Sequence, residues 1–369
     1  MRASPLAADL RSVHVVVPHD IDDVAVPSGG NAYDRRICRG LPAIGWSVHE
    51  VAVAGAWPRP DTAARSSLAR TLSALPDDAV VLLDGLVACG VPDVVVPQAG
   101  RLKLVVLVHL PLGDEVGAVP AAAAELAALE RETLHAASAI VATSPWAARR
   151  LVAHHGLAAD RVHVATPGAD LAPLAPGTDG ATRLLCVGSI TPTKGQDLLV
   201  GALAAVADLP WSCDLAGPLR RDPTHVDVVR RAIERHGLGE RVRLTGPRTR
   251  TQLATDYAAT DLLVLPSRVE SYGMVVTEAL ARGIPVLAAA VGGVPESLGH
   301  DPEASVPGIL VPPDDVPALA GALRRWFGEP ALRDALRRSA HERRTTLHGW
   351  EVTSRCLAGV LELLSGTRG

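Results

Sequence analysis

A chain of 369 residues is long enough for two domains with substantial cores, and its 48% hydrophobic content suits globular α/β packing. A formal net charge of −4 argues against a nucleic-acid-binding protein, which would need a basic surface. No apolar run approaches the ~18 residues of a membrane span, which excludes stable membrane insertion by a helix.

Other compositional signals point to a cytoplasmic protein. No secretory leader pattern precedes the first strand. The five cysteines, Cys38, Cys89, Cys186, Cys213 and Cys356, show no C-x-x-C spacing and read as reduced core thiols.

The first strand is expected at residues 13–17 and closes at Pro18. The loop after it, HDIDDVAVPSGGNAYDRR, carries Gly29-Gly30 and leads into a helix starting near Asn31. Paired glycines let a ligand come close to the backbone, and their place between a strand and a helix favours a ligand loop over a plain turn. The pattern is not G-x-G-x-x-G, so no dinucleotide cofactor is indicated. Asp20-Ile21-Asp22 has the D-x-D form of a metal-binding pair, but aspartates are common in such loops, and it is read here as loop.

Strands expected at 48–53, 80–83, 104–108 and 140–142 alternate with helical patterns, among them the alanine-rich 121–137. That alternation implies a parallel sheet covered on both faces. His109 stands at the carboxyl end of its strand, where open α/β sheets place their sites, and Asp114 and Glu115 follow in the same loop. His154-His155 are adjacent on a helix, so their rings point to different faces and do not make a metal pair.

A strand at 162–165 ends before Pro167-Gly168. The run LAPLAPGTDGAT, residues 171–182, has no helical period and reads as a linker. A second series follows, with strands expected at 184–188, 213–216, 242–245, 262–265, 286–289 and 309–311. Lys194 lies between the first of these and a helix. The chain has two lysines, Lys103 and Lys194, so a lysine here hints that a compact ammonium is wanted, although a solvated surface charge is its ordinary reading.

Residues 260–293 hold the densest chemistry: TDLLVLPSRVESYGMVVTEALARGIPVLAAAVGG. They read as strand, loop, helix and strand, with Glu270 in the loop and Glu278 inside a helix that begins near Gly273. Helical side chains lean toward the N-terminus, so Glu278 tilts back to the mouth that Glu270 borders. The N–H groups of Gly273, Met274 and Val275 lie between them. Carboxylates accept bonds from sugar hydroxyls and free helix amides hold phosphate oxygens, a combination suited to a molecule with hydroxyls at both ends and phosphates in the middle.

Set within Pro-Ser-x-x-Glu-Ser-Tyr-Gly, Gly-Ile-Pro-Val and Val-Gly-Gly-Val-Pro-Glu, the two glutamates in E-x7-E spacing resemble the signature of family 4 glycosyltransferases. The resemblance extends over nearly the whole chain and implies the GT-B fold, two Rossmann-like domains facing each other across a cleft. Residues 1–171 would form the acceptor domain, 172–182 the linker and 183–347 the donor domain. Residues 348–369 would form a last helix returning to the first domain, anchored near Trp350.

The resemblance further implies a retaining, metal-independent transfer from a nucleoside-diphosphate sugar, a co-substrate rather than a bound cofactor, to an acceptor hydroxyl. Lys194, Glu270 and His109 would be catalytic. Gly29, Gly30, Ser189, Lys194, Arg250, Gly273, Met274, Val275 and Glu278 would bind the donor, and Asn31, Tyr33, Asp34, Arg35, Asp114 and Glu115 the acceptor. Ser189 stands where the family usually carries arginine, and Arg220 or Arg221 would have to compensate. A soluble small molecule or saccharide is the expected acceptor. Rival readings are an epimerase or phosphorylase of the same fold, or a non-catalytic sugar-nucleotide-binding protein. No motif encodes the nucleobase, the sugar, the acceptor's identity or the oligomeric state.

Overall fold

A computed structural model describes residues 11–114, 116–117, 119–178, 180–299 and 306–366. Among these residues twelve strands form two separate parallel sheets of six. The first contains β1 (Ser12–Pro18), β2 (Ser47–Val53), β3 (Val80–Asp84), β4 (Lys103–Val108), β5 (Ala139–Ala142) and β6 (Val162–Val164), in the order β2-β1-β3-β4-β5-β6. The second contains β7 (Arg183–Val187), β8 (Ser212–Ala216), β9 (Val242–Gly246), β10 (Leu262–Leu265), β11 (Val286–Ala289) and β12 (Gly308–Val311), in the order β12-β11-β10-β7-β8-β9. Each expected strand is present, with ends moved by a residue or so.

The central strands β3, β5, β10 and β11 are buried along their whole length, which is why their sequences run continuously apolar instead of alternating. Alternation survives in which face each side chain serves. Val81, Leu83 and Val106 pack on one side of the first sheet, and Leu82, Val105 and Leu107 on the other. The helix Gly29–Ala43 starts ahead of Asn31 because Ser28 caps it, its Oγ accepting from Asn31 N at 3.0 Å.

Strand order reverses once in each sheet. In the first, the chain runs out from β1 to β2 and returns to the other side of β1 as β3. In the second it runs out from β7 through β8 and β9 and returns beside β7 as β10. The loops leaving the carboxyl ends of β1 and β3, and of β7 and β10, therefore diverge and open a crevice in each sheet.

The chain passes between the two halves twice, side by side. Ala169 N donates to His348 O at 2.9 Å, and Thr353 Oγ1 donates to Thr166 O at 2.8 Å. A β-carbon on Gly168 would lie 2.4 Å from Trp350 N, so only glycine lets the two passages touch. The last helix, Trp350–Ser365, then buries Leu357, Ala358 and Leu361 among Val13, Ile37 and Leu41 of the first half. Residues 171–178 contain no helix or strand yet are strapped to the second half, with Ala175 N bonded to Arg282 O at 2.9 Å and Gly177 N to Ala258 O at 3.1 Å. Among the described residues no helix is long and apolar enough to cross a membrane. Four cysteines are buried, but Cys356 is exposed on the last helix, which turns only one face inward.

Candidate active site

At the reversal point of the second sheet, Lys194 ends the short turn Pro192–Lys194 after β7, and Glu270 lies in the loop after β10. Lys194 Nζ donates to Glu270 Oε1 at 2.5 Å, and Ser267 Oγ donates to the same oxygen at 3.0 Å. Glu270 is 9% exposed, so this pair is shielded from water. The lysine expected on the donor diphosphate is thus held, in the ligand-free protein, by a carboxylate. Arg268 stitches the two loops together, reaching Asp197 at 2.7 Å, Asp314 at 2.6 Å and Pro192 O at 2.7 Å. Nothing in its sequence context marks it, because its partners come from two distant stretches.

Gly273 precedes the helix Met274–Leu280 at φ 86°, a left-handed conformation that a side chain would strain, and no side chain caps the helix. Four residues into it, Glu278 Oε2 accepts from Tyr257 Oη at 2.9 Å. Burial raises the Glu278 carboxyl above the usual range, while the Tyr257 bond and Arg282 pull it back down. Burial also pushes the Tyr257 hydroxyl well above 10, so it stays a donor.

The reversal point of the first sheet carries a second cluster. His109 follows β4, and its Nε2 lies 2.8 Å from Asp34 Oδ1. Asp84, the last residue of β3, completes a group whose nitrogen and oxygen atoms lie within 4.8 Å of one another. Among the described residues these three are the one set close enough to hold a metal ion, and the 2.8 Å contact has the length of a hydrogen bond. Asp34 was expected on the acceptor side but not as the histidine's partner, and Asp84 was not among the expected site residues. The available signal was an aspartate closing the apolar run Val-Val-Leu-Leu-Asp beside the reversal point.

The two clusters meet across the cleft. A β-carbon on Gly30 would lie 3.1 Å from the His109 ring, and one on Gly29 would lie 3.6 Å from Met274 Sδ. Val116 N donates to Thr193 Oγ1 at 3.3 Å, beside Lys194. Ser144 Oγ caps a first-half helix by accepting from Ala147 N at 2.9 Å, and donates to Ser271 O of the second half at 2.5 Å. Asp170 pairs with Arg36 from one half and with Arg250, at 3.0 Å, from the other.

The remaining expected residues are placed less uniformly. Tyr33, expected beside the acceptor, turns into the core: it is 1% exposed and its hydroxyl donates to Ala165 O at 2.8 Å. Arg35 is held by Asp22 at 2.6 Å and Glu50 at 2.5 Å, and Asp114 by Arg150 at 2.6 Å. The aspartate of Asp20-Ile21-Asp22 nearest the helix is thus committed to a guanidinium. Asn31 Nδ2 reaches Asp20 O at 3.5 Å. Ser189 is half-buried, its carbonyl accepting from Gln196 Nε2 at 3.0 Å. Arg220 and Arg221 are exposed. Glu115 lies outside the described residues.

Residues 13–173 match the family described as Glycosyltransferase Family 4, and residues 177–343 that described as Glycosyl transferases group 1. D-inositol 3-phosphate glycosyltransferase 1 of Catenulispora acidiphila is 35% identical over 302 residues, covering 76% of this chain and 69% of that protein. The D-inositol 3-phosphate glycosyltransferase of Kineococcus radiotolerans is 34% identical over 61% of this chain, which spans only 57% of that relative's length. Among solved structures, sucrose-phosphate synthase from Thermosynechococcus elongatus superposes with a TM-score of 0.79 at 23% identity, covering 96% of this chain and 99% of that one. HepE from Anabaena, solved in complex with UDP-glucose, gives 0.74 at 18% identity, covering 95% and 99%.

Proposed function

The chain belongs to glycosyltransferase family 4 and has the GT-B fold, and from that premise we propose that it transfers a sugar from a nucleoside diphosphate to an acceptor hydroxyl with retention of anomeric configuration and without a metal ion. The observation that carries this reading is the Lys194–Glu270 pair at the reversal point of the second sheet, faced by His109 from the reversal point of the first. Breaking the sugar–phosphate bond leaves negative charge on the departing diphosphate. Lys194 neutralises that charge in place of a metal, and the start of the Met274–Leu280 helix adds its amides. Glu270 takes sugar hydroxyls once Lys194 turns to the phosphate, and Glu278 takes the ribose. The leaving phosphate then receives the acceptor's proton on the same face of the sugar, so no protein nucleophile is required.

HepE was solved with UDP-glucose, which makes uridine donors the first to try. The relatives are named for D-inositol 3-phosphate. In this chain the acceptor-side candidate Arg35 is already neutralised by Asp22 and Glu50, and Arg150 by the acceptor-side candidate Asp114, which favours an uncharged cyclitol or saccharide over a phosphorylated one.

The test pairs thermal stabilisation by a panel of sugar nucleotides with transfer to inositol and to inositol 3-phosphate, the product anomer being read by NMR. Turnover is expected to be unchanged by EDTA. Loss on chelation with recovery on adding a divalent ion would refute the metal-free mechanism. Donor hydrolysis or rearrangement without any acceptor would assign the chain to epimerase chemistry instead.

A further inference from the structure

Three side chains from three elements converge where the first sheet reverses. Asp34 stands on the helix Gly29–Ala43, Asp84 closes β3 and His109 follows β4. Asp34 and Asp84 are buried at 2% and 4% exposure, while 20% of the His109 side chain stays open.

Two carboxylates buried side by side repel each other in surroundings that screen poorly, so such a pair keeps a proton between them. Burial and the neighbouring Asp34 charge both push Asp84 well above the usual range, which makes it the protonated partner, and Leu86 N still donates to its Oδ1 at 2.6 Å. Asp34 is then the anion. Its Oδ1 bonds His109, and its buried Oδ2 has no other hydrogen-bond partner, which leaves it to accept the Asp84 proton. Burial alone would lower the imidazole, but the Asp34 charge and the hydrogen bond to Asp34 outweigh it and hold His109 up to about 9. The Tyr33 ring also packs against His109, edge-on with its centre 5.3 Å away, and burial keeps its hydroxyl neutral. Asp114, in the loop after His109, is committed to Arg150.

This sets a polarity. A neutral histidine donating Nε2–H to Asp34 turns a lone pair of Nδ1 outward, whereas a doubly protonated one turns out an N–H. The first repels an anion and the second holds it. Among the described residues no side chain or backbone group bonds Nδ1, and Lys194 is already tied to Glu270 at 2.5 Å.

We propose that Asp34, backed by the protonated carboxyl of Asp84, is a positioning residue that keeps His109 doubly protonated and offers its Nδ1–H to an anionic oxygen of the bound nucleotide sugar. The second half of this statement rests on the cleft being a sugar-nucleotide site; the charge state of the histidine does not.

Ligand-free, full-length protein with labelled histidines, titrated by NMR and assigned with His109→Gln, is expected to show His109 titrating near 9. Asp34→Asn should bring it to about 6.5 or below, and Asp84→Asn, which replaces an already neutral carboxyl, should leave it near the wild-type value. Isothermal titration with UDP gives the second readout. Wild-type affinity should persist to about pH 9, while Asp34→Asn binds about tenfold more weakly near pH 8 and within about twofold near pH 5.5. A wild-type His109 titrating near 6.5 overturns the proposal without recourse to any variant. So does an unchanged titration in Asp34→Asn, or a stoichiometric divalent ion retained by the purified protein. A raised titration together with no UDP binding supports the charge state and counts against the sugar-nucleotide reading.

Discussion

Lys194 illustrates how far a residue's meaning depends on its partner. As an exposed loop lysine, its truncation would cost under ~0.5 kcal/mol. Bonded to a nearly buried glutamate, its loss leaves Glu270 with the Ser267 hydroxyl alone, and Lys194→Ala should cost about 1–3 kcal/mol. Denaturant unfolding of Lys194→Ala beside Lys194→Ala/Glu270→Gln separates the two roles. The double variant should regain most of the stability, while turnover stays down by roughly 10²-fold in both. A single variant as stable as wild type would mean that the pair contributes nothing to the fold. Glu278→Ala leaves the buried Tyr257 hydroxyl without its acceptor, so a loss of about 1 kcal/mol should accompany weaker UDP binding. Unchanged affinity in calorimetry would remove Glu278 from the donor site. His109 adds a pH dependence with a definite sign. Its folded value, about 9, exceeds the ordinary 6.5, so its contribution is complete below 6.5 and disappears as pH rises through about 9. Melting temperature should fall more steeply across that window in wild type than in His109→Gln; parallel curves would contradict the assignment.

Among elements, the last helix depends most on what it docks against. Its sequence is amphipathic, and the face carrying Leu357 and Leu361 completes the core beneath β1 and the helix Gly29–Ala43. Leu357 is fully buried whereas Leu363, one and a half turns on, is 61% exposed. Leu357→Ala should therefore destabilise the protein by about 2–4 kcal/mol, and Leu363→Ala by less than ~0.5 kcal/mol. Similar costs in chemical unfolding would show that the helix does not hold the first half together. The adjoining passage at Gly168 allows no bulk for the same geometric reason, since two backbones touch there.

At the scale of the whole molecule, the halves are joined by few groups for an arrangement that must admit and release substrates. Glu296 bridges from the second half to Trp146 N at 3.0 Å and Arg149 at 2.7 Å, next to the Ser144–Ser271 contact. Glu296→Ala with Ser144→Ala removes both side-chain ties. Small-angle scattering of the ligand-free double variant should show a larger radius of gyration than wild type, with UDP reversing part of the change. An identical radius would mean that the backbone passages and the remaining contacts, Val116–Thr193 and Asp170–Arg250 among them, set the closure.

The division between sequence and structure follows the range of the forces involved. Strands such as Val-Val-Leu-Leu and Leu-Leu-Val-Leu and the helix start at Gly273 are written in neighbouring residues, because burial on both faces and backbone conformation act locally. That is why the two parallel sheets, and the loops and helix starts on which Gly29, His109, Lys194, Glu270 and Glu278 stand, are legible in the sequence. The partners are not. His109 meets Asp34 across 75 positions, Lys194 meets Glu270 across 76, and the Tyr33 hydroxyl finds Ala165 across 132. Only the reversal of strand order brings such residues together, and only burial decides whether each keeps its charge. A single sequence therefore determined which side chains stand at the mouths of the two sheets. Tertiary structure decided that Tyr33 faces the core, that Lys194 is paired, and that Asp34 and Asp84 surround the histidine, because charge and hydrogen-bond state depend on neighbours in space and not along the chain.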